Sequence, residues 1–344
     1  MLTAEGSKAR LARLSEAIEQ NGWDLFLTTD PRTIYYFTAE YLPDTPAAFL
    51  QYANGRNLLM KQDTYSIQRV IDYPEEDLRS KIRDLVRNKN AGVEMRSGFI
   101  QVDNAEDATR TVLRLRKKKE EDEIAEIRRA LELNAVAYDA AKATIAPGLR
   151  EIDVYTAMYD AIVKHAGTAV EFKGDFACGE RCIKGGGPPT DRVIQPGDLY
   201  ILDLFPAPAY YFSDTCRTFA VAEPTDVQMQ GYELVMKAMH MAEGMIRPGV
   251  KARDAYQAAK DLLDSDPQFE QSFWHHLGHG IGHRGHEAPR IIPGTDDIFE
   301  EGDVITLEPG VYGANLQGGI RIEDNYVVRA NGLENLFHYP HELT

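Results

Sequence analysis

The sequence predicts an α/β (α+β) protein in two parts, a small N-terminal α/β domain over residues 1–112 and a larger domain over 113–344. Three observations predict this. Apolar runs alternate with helical periodicity through the first hundred or so residues. Composition then turns strongly charged between about 105 and 118, and beyond that point the chain repeats itself. At 344 residues it is long enough for two cores.

In the first part, Leu11, Leu14 and Ile18 mark an amphipathic helix. "DLFLTT" reads as a buried strand ended by "DPRT". "AFLQY" and "RNLLM" read as shorter apolar segments, and 75–88 as a polar helix. No catalytic constellation is visible there. The basic run "RLRKKKEEDE" at 114–123 is followed at once by its acidic half, with Lys119 and Glu123 at i,i+4 spacing, so it reads as a solvated helix start.

From Glu120 onward, Ile124, Ile127, Leu131, Ala135 and Tyr138 form one face of a long helix that "APG" at 146–148 stops. A second helix runs from about Ile152 to His165. "IAPGLREIDVYTAMYDAI" at 145–162 then matches "IRPGVKARDAYQAAKDLL" at 246–263, with an offset of 101. The following strands repeat as well, "QPGDLYILDL" at 195–204 against "EEGDVITLEP" at 300–309, which sets Asp203 against Glu308. Return strands "SDTCRTFAV" and "GIRIEDNYVV" carry Asp214 and Glu323. The second domain therefore reads as two similar halves, each with a carboxylate on both arms of a hairpin. With turns near Pro208 and Asn315, each pair is expected roughly opposite across its hairpin.

Four carboxylates in apolar β runs need neutralising, since a buried unpaired carboxylate is costly. Two divalent cations would do it; salt bridges to Arg217 and Arg321 are the alternative. The stretch "HHLGHGIGHRGHE" from His275 to Glu287 holds five of the nine histidines. Gly278, Gly280 and Gly282 alternate around His279, letting the backbone pack tightly and hold that imidazole at a buried centre. Carboxylate oxygens with one imidazole suit Mn²⁺, Co²⁺, Fe²⁺ or Zn²⁺, with manganese favoured.

These residues carry a resemblance. The second domain resembles the pita-bread metallopeptidases, and nearly the whole chain resembles their Xaa-Pro dipeptidase (prolidase) and aminopeptidase P branch. "GWDLFLTTDPRTIYYFTAEY" looks like that branch's N-terminal domain. Asp203, Asp214, His279, Glu308 and Glu323 match the five metal ligands in order, with a last gap of 15, one residue longer than usual. The resemblance implies that Asp214 and Glu323 bridge two metals sharing a water or hydroxide nucleophile. Asp203 would complete one metal, and His279 with Glu308 the other. It implies Glu308 as general base, His286 as stabiliser of the tetrahedral intermediate, and His275 lining the pocket. His276 is expected to be structural. Arg290 would clamp the free carboxylate of a dipeptide.

The pattern fails at one place. Relatives carry a His-Gly where "CIKGGGPPTDR" has Gly186, and His283 stands where they have an apolar residue. One expectation is that His283 supplies the missing substrate contact. The glycine run lacks the residues of a phosphate loop, and the C-x3-C of Cys178 and Cys182 lacks a second pair for a zinc site.

The expected protein is a metal-dependent exopeptidase cleaving Xaa-Pro dipeptides. An aminopeptidase on longer peptides, another metal-dependent amide hydrolase and a non-catalytic binding protein on the same scaffold are the alternatives. Hydrophobic residues at 43%, charged residues at 27% and no long apolar run suit a soluble protein without a membrane partner. A net charge of −16 disfavours nucleic acid. The start of the chain lacks a signal peptide's apolar core and the three cysteines suggest no disulfide framework, so a cytoplasmic setting is expected. A homodimer is implied by the resemblance.

Overall fold

A computed structural model of the chain describes residues 1–43, 45–61, 75–95, 102 and 105–343. They form two units, Met1–Arg116 with Glu120–Asp122, and Lys117–Lys119 with Glu123–Thr344.

In the first unit, α1 (Ala4–Asn21) begins where the Thr3 side chain accepts from the Gly6 amide. β1 (Leu25–Thr28) follows, then α2 (Pro31–Thr38), capped by the Asp30 carboxylate. β2 (Ala47–Tyr52), β3 (Asn57–Lys61), α3 (Glu75–Val86), β4 (Ala91–Val93) and β5 (Glu106–Asp107) complete a sheet of order β3-β2-β1-β4-β5. Central β1 is buried on both faces. Phe26 joins Leu14, Ile18 and Phe37, while Leu25 and Leu27 join Leu50 and Ile82. A strand covered on both sides reads as an unbroken apolar run, which is why "DLFLTT" stands out in the sequence. Helix α4 (Thr109–Lys117) runs through the 112/113 boundary drawn above. Val112 belongs to the first unit's core with Leu115 packed beside it, which carries the helix along with that unit.

The second unit opens with the long helix α5 (Glu121–Thr144) and α6 (Glu151–Ala166). β6 (Glu171–Cys178), β7 (Leu199–Ala207) and β8 (Thr215–Ala220) form a three-stranded sheet. The second half repeats the scheme with α7 (Asp226–Met245) and α8 (Ala252–Leu263). β9 (Gly278–Gly280), β10 (Glu287–Ile291), β11 (Val304–Leu307), β12 (Gly310–Gly313), β13 (Gly318–Arg321), β14 (Asp324–Arg329) and β15 (Gly332–Asn335) follow. Five of these make a sheet of order β10-β9-β11-β14-β15, and β12 pairs with β13.

The internal repeat is physical. Gly148 donates to the Ile194 carbonyl at 3.0 Å and Gly249 to Phe299 at 2.9 Å; bridges Arg150–Val193 and Lys251–Ile298 lie beside them. The two hairpins meet where Cys216 and Glu323 exchange backbone hydrogen bonds of 3.2 and 3.0 Å. The principal core of the unit gathers α7, α8 and the five-stranded sheet, with Met239, Phe273, Leu307 and Ile320 among its members.

Candidate metal centre and cavity

The hairpin register decides where the carboxylates emerge. β11 and β14 pair Leu307 with Asp324, and β12 and β13 pair Gly310 with Arg321, so the same line sets Glu308 opposite Glu323, as the sequence suggests. The first hairpin differs. Asp203 pairs with Cys216, so Asp214 lies diagonal to it by two residues rather than opposite. An offset of two keeps both side chains on one face of the pleat, so the carboxylates still converge. The long last gap is taken up by a 3₁₀ turn at Ala314–Leu316 and by Gln317 at φ 55°.

β9 is wedged between β10 and β11, and its glycines are required by space. A Cβ on Gly278 would fall 2.1 Å from the Thr306 carbonyl oxygen, and one on Gly280 would fall 2.0 Å from that of Ala288. This close approach fixes His279. Its Nδ1 faces the Gly280 carbonyl at 3.0 Å and donates to it, leaving the Nε2 lone pair 3.5 Å from Glu308 and 3.7 Å from Asp214.

All five expected ligands come together and are buried. Asp203, Asp214 and Glu323 offer ligand atoms within 4.8 Å of one another, and so do His279, Glu308 and Glu323, the two groups sharing Glu323. The residues fit a cation on three counts. Asp203 Oδ1 and Glu323 Oε2 are buried with no hydrogen-bond partner among the described residues. The His279 lone pair faces carboxylate oxygens, a repulsive contact unless positive charge lies between. Burial drives the Asp203 pKa up to about 6 against the pull of Arg321, and raises Asp214 and Glu323 further, the nearby carboxylates adding to it.

The salt-bridge alternative is met only in part. Arg321 Nη2 donates to Asp203 at 2.6 Å, but Arg217 pairs with Asp324, outside the set. Burial also pushes Glu308 up, but the three imidazoles of His276, His279 and His275 outweigh it and hold that carboxylate below its ordinary value.

The centre opens into a cavity of about 370 Å³ whose wall includes His275, His276, His279 and His286. Burial lowers His275 to about 4 and His279 to about 3, so both are neutral at pH 7. His275 Nδ1 donates to the His276 carbonyl, so its Nε2 accepts from Tyr312 Oη at 2.8 Å. His286 packs its ring 3.9 Å from that of His279 and is exposed.

His276, expected to be structural, lines the cavity, and its Nδ1 stands 2.9 Å from Glu308 Oε1, a contact that outweighs desolvation and raises its pKa. Two expected substrate contacts lie away from the cavity wall. His283 is buried with its ring 4.1 Å from Tyr211, and Arg290 projects from an exposed position on β10, although its charge reaches His276 and His286. Cys178 and Cys182 are separate buried thiols, pushed up by desolvation, and neither belongs to a metal-type group among the described residues.

The sequence reading also omitted Asp175, Lys184, Trp274 and the wall position of Arg321. For Arg321 a signal existed, since it precedes Glu323 by two and shares its face of the strand. Asp175 becomes visible only once β6 is paired with β7. Its neighbouring loop is held by buried Glu151, which accepts from the Cys178 and Thr190 amides at 2.8 and 3.0 Å and pairs with Arg181.

The chain is 29% identical to the Xaa-Pro dipeptidase of Pyrococcus furiosus over 98% of this chain and 99% of that one. Among solved structures it resembles an Xaa-Pro dipeptidase from Bacillus anthracis (TM-score 0.83, 26% identity, covering 98% of this chain and 99% of that one). It is also similar to an X-Pro aminopeptidase from Thermotoga maritima (TM-score 0.82, 25% identity, 97% and 98%). The fold is the pita-bread fold. No helix among the described residues is long and apolar enough to cross a membrane. The model of metallopeptidase family M24 matches residues 125–330, and the chain belongs to that family.

Proposed function

We propose that this metallopeptidase is a prolidase, an exopeptidase that hydrolyses Xaa-Pro dipeptides at a dinuclear centre. The observation that carries the reading is the pair of ligand groups sharing Glu323 at the floor of a cavity of about 370 Å³, a size that suits a dipeptide. Asp203, Asp214, His279, Glu308 and Glu323 would hold the two ions. Bound there, two divalent ions would supply Lewis acidity and lower the pKa of a shared water.

The chain's own residues supply the rest. Glu308 accepts the proton of the attacking water and passes it on, while the His276 contact at 2.9 Å steadies its charged form. His286, exposed beside His279, donates to the oxygen that develops negative charge. His275, fixed through Tyr312, shapes the wall. Arg290, exposed on β10, is assigned the substrate's free carboxylate. His283 is buried with its ring packed against Tyr211. Oxygen-rich ligation favours manganese. A homodimer in the cytoplasm remains our reading of assembly and location.

A second reading, an aminopeptidase on longer peptides, is favoured by one observation: Arg290 is outside the cavity wall. Hydrolysis of Met-Pro, Ala-Pro, Ala-Ala and a Xaa-Pro tripeptide by protein reconstituted with Mn²⁺, Co²⁺ or Zn²⁺ separates the two. Cleavage confined to Xaa-Pro dipeptides, with KM raised by Arg290→Met, supports the prolidase. Tripeptide cleavage indifferent to that substitution supports the aminopeptidase.

A further inference from the structure

We propose that Asp175 is a specificity-determining residue that selects substrates whose N-terminal residue carries a basic side chain, lysine or arginine. The inference rests on the Xaa-Pro reading in one respect: with proline fixed on one side of the scissile bond, only the N-terminal residue is free to vary.

Asp175 pairs with Asp203 in the antiparallel register of β6 and β7. Directly paired residues project to the same side of a sheet, so Asp175 emerges beside a carboxylate of the metal centre. Both share one donor, since Arg321 Nη2 lies 2.6 Å from Asp203 Oδ2 and 3.2 Å from Asp175 Oδ2. Arg321 therefore fixes the direction of the Asp175 carboxylate. Its other oxygen, Oδ1, accepts from no described residue, and the side chain is 38% exposed in the cavity wall.

The adjoining glycine loop leaves room for this group. Gly186 adopts φ 147°, and a Cβ there would lie 2.5 Å from Asp175 Cγ. A side chain at 186 and a carboxylate at 175 exclude each other. At Gly186, where the resemblance has a histidine, the Asp175 side chain occupies the space that a Cβ would take.

Aromatic surface lines the same cavity. Phe205 shares the face of Asp203 on β7, and Trp274 comes close enough to Gly185 that a Cβ there would meet its ring at 3.0 Å. A carboxylate with one open oxygen near aromatic surface fits an alkylammonium or guanidinium group. Lys184 lines the cavity too and opposes a cation, but it is exposed at the end of a 3₁₀ turn, where water and salt screen it. Asp175 is 38% exposed and already paired with Arg321, so what it offers a cation is the acceptor Oδ1 together with the carboxylates of the neighbouring centre.

The test compares Lys-Pro, Arg-Pro and Met-Pro, with Lys-Ala and Met-Ala, on metal-loaded wild type and Asp175→Asn at pH 7.5. It reads kcat/KM for cleaved peptides and Kd by calorimetry for uncleaved ones. Basic peptides are expected to exceed their methionine counterparts by about tenfold or more, mainly in KM or Kd. In Asp175→Asn the ratio falls to about one, and in wild type it shrinks at 1 M salt. A wild-type ratio near one, or a ratio that survives Asp175→Asn, overturns the inference. Proline preference without basic preference sinks the inference and keeps the prolidase reading. Basic preference in alanine and proline peptides alike keeps the inference and sinks that reading.

Discussion

Restoring a side chain at position 186 should be costly, and the structure separates two sources of the cost. Gly186→Ala puts a Cβ on a backbone at φ 147°, a conformation L residues avoid at about 1–2 kcal/mol. The same Cβ falls 2.5 Å from both Cβ and Cγ of Asp175, and relieving that overlap adds about 1–3 kcal/mol. The expected destabilisation is about 2–5 kcal/mol. At roughly 2 °C per kcal/mol for a chain of this size, Tm should drop by about 4–10 °C in a thermal scan of the metal-free protein. Asp175→Gly removes the clashing atoms. In a double-mutant cycle, Gly186→Ala should therefore cost only the backbone part, about 1–2 kcal/mol, on the Asp175→Gly background. Gly186→His should behave like Gly186→Ala or worse, and the reinstated imidazole should not raise activity. A Gly186→Ala protein within about 2 °C of wild type, or a cycle with no coupling between the two positions, would refute the steric argument.

Three further outcomes follow from the site. Glu308→Gln removes the proton acceptor beside His276 and should lower kcat by about 10²–10⁴ in steady-state assays; a loss below tenfold would reject that role. His283→Leu should leave kcat/KM unchanged, because the ring packs on Tyr211 away from the cavity, and a large KM effect would return it to substrate binding. Metal binding should release protons near pH 6. Burial raises Asp203 to about 6 and lifts Asp214 and Glu323 as well, so the metal-free fold holds more protons there than the unfolded chain. Asp203 therefore favours the metal-free fold most at low pH, a contribution lost as pH rises from the ordinary carboxylate value to about 6, and Asp214 and Glu323, raised further, lose theirs at higher pH. Metal affinity should rise over the same window. Calorimetry at pH 6 in two buffers of different ionisation enthalpy would detect the protons, and zero net release would contradict the shifts.

Much of this was decided by the chain's local pattern. The strands of the first unit are legible because a segment buried on both faces must be continuously apolar, as at Leu25–Leu27. The duplicated helix and hairpin are legible because each copy needs the same glycine turn and apolar face, as at Gly148 and Gly249. The five expected ligand positions are legible because they belong to that repeat and to a histidine-glycine stretch with few other uses.

Pairing decided the rest. Periodicity specifies which face a side chain occupies, not which strand lies beside it. Hence the diagonal offset of Asp214 from Asp203, and the arrival of Asp175 at the centre, depend on the β6–β7–β8 register. Proximity of His276 to Glu308 depends on chain segments 32 residues apart meeting in space. Gly186 illustrates the division best. Its sequence reveals only a missing imidazole, whereas the folded chain reveals the carboxylate that fills the vacated volume, because two groups distant along the chain cannot occupy one space.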